Sequence, residues 1–314
     1  MANLGVLRDF ALKKMCTKNK KTTGTSLETP QRLPSWLRRP IQTDAAYAEV
    51  QALLKERGLH TVCEEAKCPN RHECWNHGTA TFMILGDVCT RDCRFCNIAT
   101  GKPQPPNVEE PECVAEAAEK MGLRYVVLTS VTRDDLPDGG ASAFAKTIHA
   151  LKARIPEVKV EVLTPDFKGE EAPLFQVLDA APTVFNHNIE TVERLQKPIR
   201  RTATYARSLG VLQRADEYAK GQIKIKSGIM LGLGETDEEA LKTFQDLFDH
   251  GVRLLTIGQY LAPTRDHIHT KRFVSPKEFA EFEQAAYKIG FESVVSGPLV
   301  RSSYQADQMA TANR

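Results

Sequence analysis

Residues 80–98 read ATFMILGDVCTRDCRFCNI. An apolar run, Thr81–Val88, is followed at once by three cysteines, Cys89, Cys93 and Cys96. A short run of large apolar residues reads as a strand buried on both faces. Five more such runs follow, at Tyr125–Val131, Val158–Leu163, Thr183–Asn188, Ile223–Leu231 and Leu254–Tyr260. Between and after them lie stretches with apolar residues at helical spacing: CVAEAAEKMG, SAFAKTIHALKARI, PLFQVLDA, YARSLGVLQRADEYAKG, DEEALKTFQDLFDHG and SPKEFAEFEQAAYKIG. Thr236 and Glu239 have capping-box spacing at the start of the fifth. Six strand–helix units predict an α/β protein with a parallel sheet, as a curled partial barrel or a doubly wound open sheet. In both, ligands gather at the C-terminal ends of the strands. The three cysteines stand at such an end.

Upstream, residues 1–30 are polar and basic and predict a mobile tail. Asp44 is a good N-cap for a helix running to Gly58. Residues 59–78, rich in Cys, His, Asn and Gly, read as an irregular loop held by something other than a core. The chain of 314 residues, 41% hydrophobic and 26% charged, has the composition of a soluble globular protein with one large domain or two small ones. A net charge of +2 is too weak a bias to argue for nucleic acid, and permits an acidic protein partner. No apolar run approaches the roughly 20 residues needed to span a bilayer. The N-terminus lacks the features of a secretory signal, and the basic stretch Lys13–Lys21 contains no Arg, a poor match to a transit peptide. The expectation is a cytoplasmic protein, free of membrane and nucleic acid.

Eight cysteines sit at 16, 63, 68, 74, 89, 93, 96 and 113, six of them within the 34 residues Cys63–Cys96. Disulfide scaffolds belong to small secreted domains; a local cluster in a large intracellular chain points to metal or redox chemistry. Cys89, Cys93 and Cys96, spaced C-x3-C-x2-C, can hold three irons of a four-iron cluster and leave the fourth open to a ligand. A zinc knuckle would need a fourth Cys or His, and no His lies in that loop. Cys63, Cys68 and Cys74, spaced C-x4-C-x5-C, form a second triplet, for which a zinc site completed by His60, His72 or His77 is the alternative. Cys16 lies in the tail, and Cys113 reads as a small buried residue.

These motifs resemble known ones. C-x3-C-x2-C is similar to the signature of the radical S-adenosylmethionine superfamily. There the open iron is chelated by the amino and carboxylate groups of S-adenosylmethionine, and a 5′-deoxyadenosyl radical is generated. The pair of triplets, 15 residues apart, resembles the lipoyl synthase family. So does the C-terminal SGPLVRSSYQA, although the basic residue usual after the Tyr is Gln305 here. The resemblance covers residues 30–306. It implies a partial parallel (β/α)6 barrel at 80–275, an N-terminal extension at 31–79 with the auxiliary cysteines, and a C-terminal segment at 276–314, both extensions lying over the barrel mouth. It implies two [4Fe-4S] clusters, one on Cys89, Cys93 and Cys96, the other on Cys63, Cys68 and Cys74 and sacrificed as sulfur source. It implies that a serine ligates the auxiliary cluster's fourth iron, Ser303 in preference to Ser302. The implied reaction places sulfur at carbons 6 and 8 of an octanoyl group on a lysine of a lipoyl carrier domain. Implied partners are 2-oxoacid dehydrogenase E2 subunits, the glycine cleavage H protein, and a reductant such as ferredoxin or flavodoxin.

Other matches are softer. SVTRDDLPDGGA, residues 130–141, resembles the family's loop near the methionine moiety and puts Thr132 forward as a cofactor contact; a turn with a helix cap is the alternative. Asn186, His187, Asn188 and Glu190 follow the fourth strand, where polar groups can bond a ribose or an amino group; the alternative is an Asx-turn. Arg200 matches a basic position near the cofactor. Gly228, Gly232 and Gly234 would let backbone approach a ligand, and Gln259–Leu261 would line a substrate channel. The nearest rival is another two-cluster sulfur-inserting enzyme, a methylthiotransferase; a ferredoxin-like carrier or zinc adaptor does not need six strand–helix units.

Overall fold

The structure is a computed structural model, and it describes residues 32–38, 51–52, 54–65, 68, 70, 73 and 81–311. Cys16, Cys74, His72, His77, the expected tail and most of the helix from Asp44 lie outside the described residues. Eight strands form the main sheet: β1 (His60–Thr61), β2 (Thr81–Ile84), β5 (Tyr125–Ser130), β6 (Lys159–Leu163), β7 (Val184–Asn186), β8 (Lys224–Leu231), β9 (Leu254–Gln259) and β10 (Ser293–Gly297). A separate parallel pair, β3 (Val88–Cys89) with β4 (Ala99–Thr100), carries the first cysteine of the 89–96 loop. The main sheet runs β1-β2-β5-β6-β7-β8-β9-β10, parallel from β2 to β10, with β1 antiparallel at the edge. Each crossover moves to the next neighbour in the same direction. A doubly wound sheet reverses at a switch point; this one never does, so its winding is that of a barrel.

Among the described residues lie the helices α1 (Val62–Glu65), α2 (Glu110–Lys120), α3 (Ala141–Arg154), α4 (Glu171–Asp179), α5 (Glu193–Ile199), α6 (Tyr205–Ala219), α7 (Asp237–Asp249), α8 (Pro276–Ile289) and α9 (Ala306–Thr311). Thr236 and Glu239 do form the capping box of α7, and Ser275 with Glu278 forms another on α8. The β10 strand and the short α5, which contains Pro198, were not expected.

Strand alternation sorts the core into two layers. Val126, Leu128, Val160, Val162, Ile225, Ile229, Leu255 and Ile257 face the helices in one large core. Tyr125, Val127, Val184 and Leu254 face inward and pack on Ala306, Met309 and Ala310 of α9. In a flat sheet β5 and β9 would lie roughly 19 Å apart at about 4.8 Å per strand. Residues of both share one buried cluster with this six-residue helix, so the sheet curls around it. The four strand residues sit at the N-terminal ends of their strands. The C-terminal segment therefore does more than cover the mouth: its last helix plugs the bottom. One layer up, Glu161 accepts from Tyr125 Oη and Lys226 Nζ, each at 2.8 Å, and all three are buried.

Candidate active site

The strands' C-terminal ends surround a cavity of about 490 Å³. Its wall includes Cys89, Cys93, Cys96, Thr132, Asn188, Glu190 and Arg200, brought together from four separate loops. The cysteine loop is held from below. Cys89 Sγ accepts from the backbone N–H of Thr132 at 3.3 Å and of Arg91 at 3.4 Å. Thr90 donates twice to the Thr132 carbonyl, at 3.0 and 2.9 Å. Arg91 binds both oxygens of Asp134 and reaches buried Asp166 at 2.7 Å, and Arg207 closes on Asp166 at 3.2 Å. Despite its burial, Asp166 is held well below the usual carboxylate range by the Arg91 guanidinium. Sequence reading missed Arg91 and Asp166, because the pairing spans 75 residues.

Burial pushes the Cys93 thiol up to about 11 and the Cys96 thiol to about 12, and the neighbouring thiols push the same way. Cys93 and Cys96, buried on the cavity wall, resist ionising until a cation shares the site. That is the electrostatic situation iron resolves, so the donor set fits a cluster. The wall fits a polar ligand beside it: Ser130 Oγ, Thr164 Oγ1 and Asn188 Oδ1 are buried there without a hydrogen-bond partner. Ser130 and Thr164 were not singled out from sequence, since they meet only when β5 and β6 become neighbours.

Arg200 is fixed by a chain of bonds. Its Nη1 donates to Ile189 O at 3.0 Å and to Gln196 Oε1 and Ser208 Oγ at 3.2 Å. His187 Nδ1 lies 2.9 Å from the Thr164 carbonyl, which only accepts, so Nδ1 carries the proton. Its Nε2, 3.0 Å from Ser208 Oγ, accepts from that hydroxyl. Burial and the Arg200 charge lower His187 to about 4 and keep it neutral. Burial raises Glu190, while Arg200 and a bond from Asn188 at 3.2 Å oppose the rise. Glu190 holds φ at +66°, an unusual backbone for a non-glycine residue. Asn186 lies a layer deeper, donating to Glu161 at 3.4 Å, and does not line the cavity. The close approaches at the glycines are made by protein: a Cβ on Gly228 would meet Asn188 and Thr256, and one on Gly232 would meet Gln259 and Arg272. Gln259, Tyr260 and Leu261 do line the cavity.

The first cysteine loop borders the same space. Cys63 is buried on α1, the Cys68 N–H donates to the Cys63 carbonyl at 3.1 Å, and Val62 is on the cavity wall. Asn97 Nδ2 donates to Glu65 O at 2.8 Å and joins the two cysteine loops. The C-terminal segment folds back onto them. Asn70 donates to Leu299 O at 2.6 Å, Tyr304 to Glu73 at 3.0 Å, and Thr81 to Ser303 Oγ at 2.9 Å. Arg301 and Ser302 line the cavity, whereas Ser303 faces Thr81. Burial lowers the pKa of Arg301, and proximity to Cys68 raises it.

Comparison with known proteins agrees with this geometry. A family model described as the radical SAM superfamily matches residues 83–247, and one described as the N-terminal domain of lipoyl synthase matches residues 7–68. The lipoyl synthase of Rubrobacter xylanophilus is 54% identical over 275 residues, covering 88% of this chain and 85% of its own. That of Methylococcus capsulatus is 54% identical over 282 residues, covering 90% and 87%. Among solved structures, Streptococcus suis SuiB superposes with a TM-score of 0.55 at 10% identity, covering 80% of this chain. The hydrogenase maturase HydG from Carboxydothermus hydrogenoformans gives 0.52 at 12% identity, covering 87%. This chain spans 52% of the SuiB chain and 63% of HydG, and at such identity the likeness shows the fold alone. The partial barrel is thus of the radical SAM type, and the chain belongs to the lipoyl synthase family.

Proposed function

We propose that this chain inserts two sulfur atoms, at carbons 6 and 8, into an octanoyl group held on a lysine of a lipoyl carrier domain. The observation that carries the reading is the meeting of two cysteine loops, joined through Asn97, at one cavity with a largely apolar wall. Unactivated C–H bonds offer no acidic proton, so acid–base groups have no foothold on them. When bound, S-adenosylmethionine and the cluster on Cys89, Cys93 and Cys96 supply a hydrogen-abstracting carbon radical, and the auxiliary cluster supplies sulfide. The chain's own residues bind, orient and exclude water. Thr132 fixes Cys89 through its N–H, while Asn188, Glu190 and Arg200 offer polar groups to the cofactor. Phe95, Ile98, Val131, Leu163 and Met230 give the acyl chain a dry wall.

In this reading Cys63, Cys68 and Cys74 hold the auxiliary cluster and a serine of the C-terminal segment completes it. Oxygen is a hard ligand for a sulfur-rich iron and leaves readily. Ser302, on the cavity wall, is the serine this reading favours, while Ser303, the ligand the resemblance implies, accepts a bond from Thr81. Residues 31–79 then serve the auxiliary cluster, 80–275 the radical chemistry and 276–314 the closure. No helix among the described residues is long and apolar enough to cross a membrane, and we place the reaction in the cytoplasm. The E2 subunits and the glycine cleavage H protein would present the substrate, and a ferredoxin or flavodoxin would supply electrons. The test is anaerobic incubation of reconstituted protein with an octanoyl-lysyl peptide, S-adenosylmethionine and dithionite. Mass spectrometry should find two added sulfurs and 5′-deoxyadenosine; cleavage of the cofactor with no sulfur gained would refute the reading.

A further inference from the structure

Three segments that line the cavity continue directly into its rim. The 93–96 stretch carries Arg94 between two wall cysteines; Arg200 is followed by Arg201; Pro263 is followed by the loop 264–271. These segments are fastened to one another. Arg94 N–H donates to Ile199 O at 3.0 Å, and His267 Nε2 lies 3.0 Å from Cys96 O. Ile199, Tyr260, Phe95, Ala262 and Ile268 share one apolar cluster. With α5 included, their exposed charges are Arg94, Arg194, Lys197, Arg201, Arg265 and Lys271, against Asp92, Glu193 and Asp266. Arg201 pairs with Asp92 at 3.0 Å. The excess positive charge on this rim exceeds the net +2 of the whole chain, so the rest of the surface is slightly acidic.

We propose that this rim is the docking surface for the carrier, and that it recognises an acidic face of the domain bearing the acylated lysine. The inference rests on the sulfur-insertion reading and names how its substrate is held. A rim of like charge steers an oppositely charged partner toward the mouth and sets the encounter rate more than the chemistry within. The cavity beneath accepts the acyl arm, and the surface around it engages the domain. A short peptide carrying the same arm would use the cavity without the rim.

The test compares two substrates, an intact octanoylated carrier domain and a short octanoyl-lysyl peptide, with dithionite as reductant so that a protein donor plays no part. The variant Lys197→Glu/Arg265→Glu reverses two rim charges and touches no residue of the cavity. With the domain, KM should rise roughly tenfold or more, kcat should hold, and the salt dependence of the wild type should flatten. With the peptide, both constants should match the wild type. Arg124→Glu, before β5 at the opposite end of the strands, should leave both substrates unaffected. An unchanged KM for the domain, or an equal loss with peptide and domain, would overturn the docking surface. So would an oligonucleotide that competes with the peptide while the domain binds the variant normally. Wild-type turnover of the peptide separates these failures from failure of the sulfur-insertion reading, which would show as no sulfur gained with either substrate.

Discussion

His187 shows how a buried neutral group ties stability to pH. Its unfolded pKa is near 6.5 and its folded value is about 4. The unfolded chain therefore binds a proton between those values and the folded one does not, so stability is full above about pH 6.5 and falls as pH drops toward 4. The linked loss is roughly 3 kcal/mol. Urea unfolding of His187→Gln at pH 4.5, 5.5 and 6.5 should show a shallower acid-side slope than the wild type; an unchanged slope would mean another group titrates. The serines separate similarly. Ser302→Ala should reduce sulfur insertion well below wild type while S-adenosylmethionine cleavage persists, and Ser303→Ala, losing only its bond from Thr81, should cost less. The reverse order, read from product masses of both variants, would restore Ser303. At this scale the sequence disclosed residues whose spacing is itself the signal, above all Cys89, Cys93 and Cys96. It did not disclose depth: Asn186 ends β7 and Asn188 follows two residues later, and only the fold shows that one lies beneath the cavity and the other in its wall.

Among elements, the crossing of the C-terminal segment over β9 decides where the serines lie. A Cβ on Gly258 would run into the Val300 carbonyl, and Arg301 Nη1 donates to Gln259 O at 3.3 Å. Gly258→Ala should therefore push residues 300–303 outward and cut sulfur insertion by roughly tenfold through misplacement. Cleavage of S-adenosylmethionine, read as 5′-deoxyadenosine released, should stay near wild type; a parallel fall of both would place the damage at Cys89–Cys96 instead. The capping box at Thr236 and six of the seven parallel strands were legible, because apolar runs and cap spacing are local signals. The β10 strand SVVSG was not, being short, partly polar and an edge strand, nor was α5, whose Pro198 speaks against a helix.

For the whole molecule, the alternation of strands and helices announced a parallel sheet, and order alone made it a barrel. The plug could not be read in advance: ADQMAT has no pattern that says what it packs against. Met309 is 1% exposed in the cluster with Tyr125 and Leu254, so Met309→Ala should cost about 2–5 kcal/mol, read by urea denaturation. A loss under about 0.5 kcal/mol would mean that α9 does not support the barrel. The strap above that plug has a consequence in time. Asn70 with Leu299, Thr81 with Ser303, and Glu73 with Tyr304 stand 229, 222 and 231 residues apart. At roughly 5–20 residues per second of synthesis, the first partner waits about 10–45 s for the second. The loop around Cys89 meets Thr132 across 43 residues and His267 across 171, both before the strap can close. The two cysteine loops thus acquire their partners at different ages of the chain: the one at Cys89 once residue 267 has been made, the one at Asn70 and Glu73 only once residues 299–304 have followed.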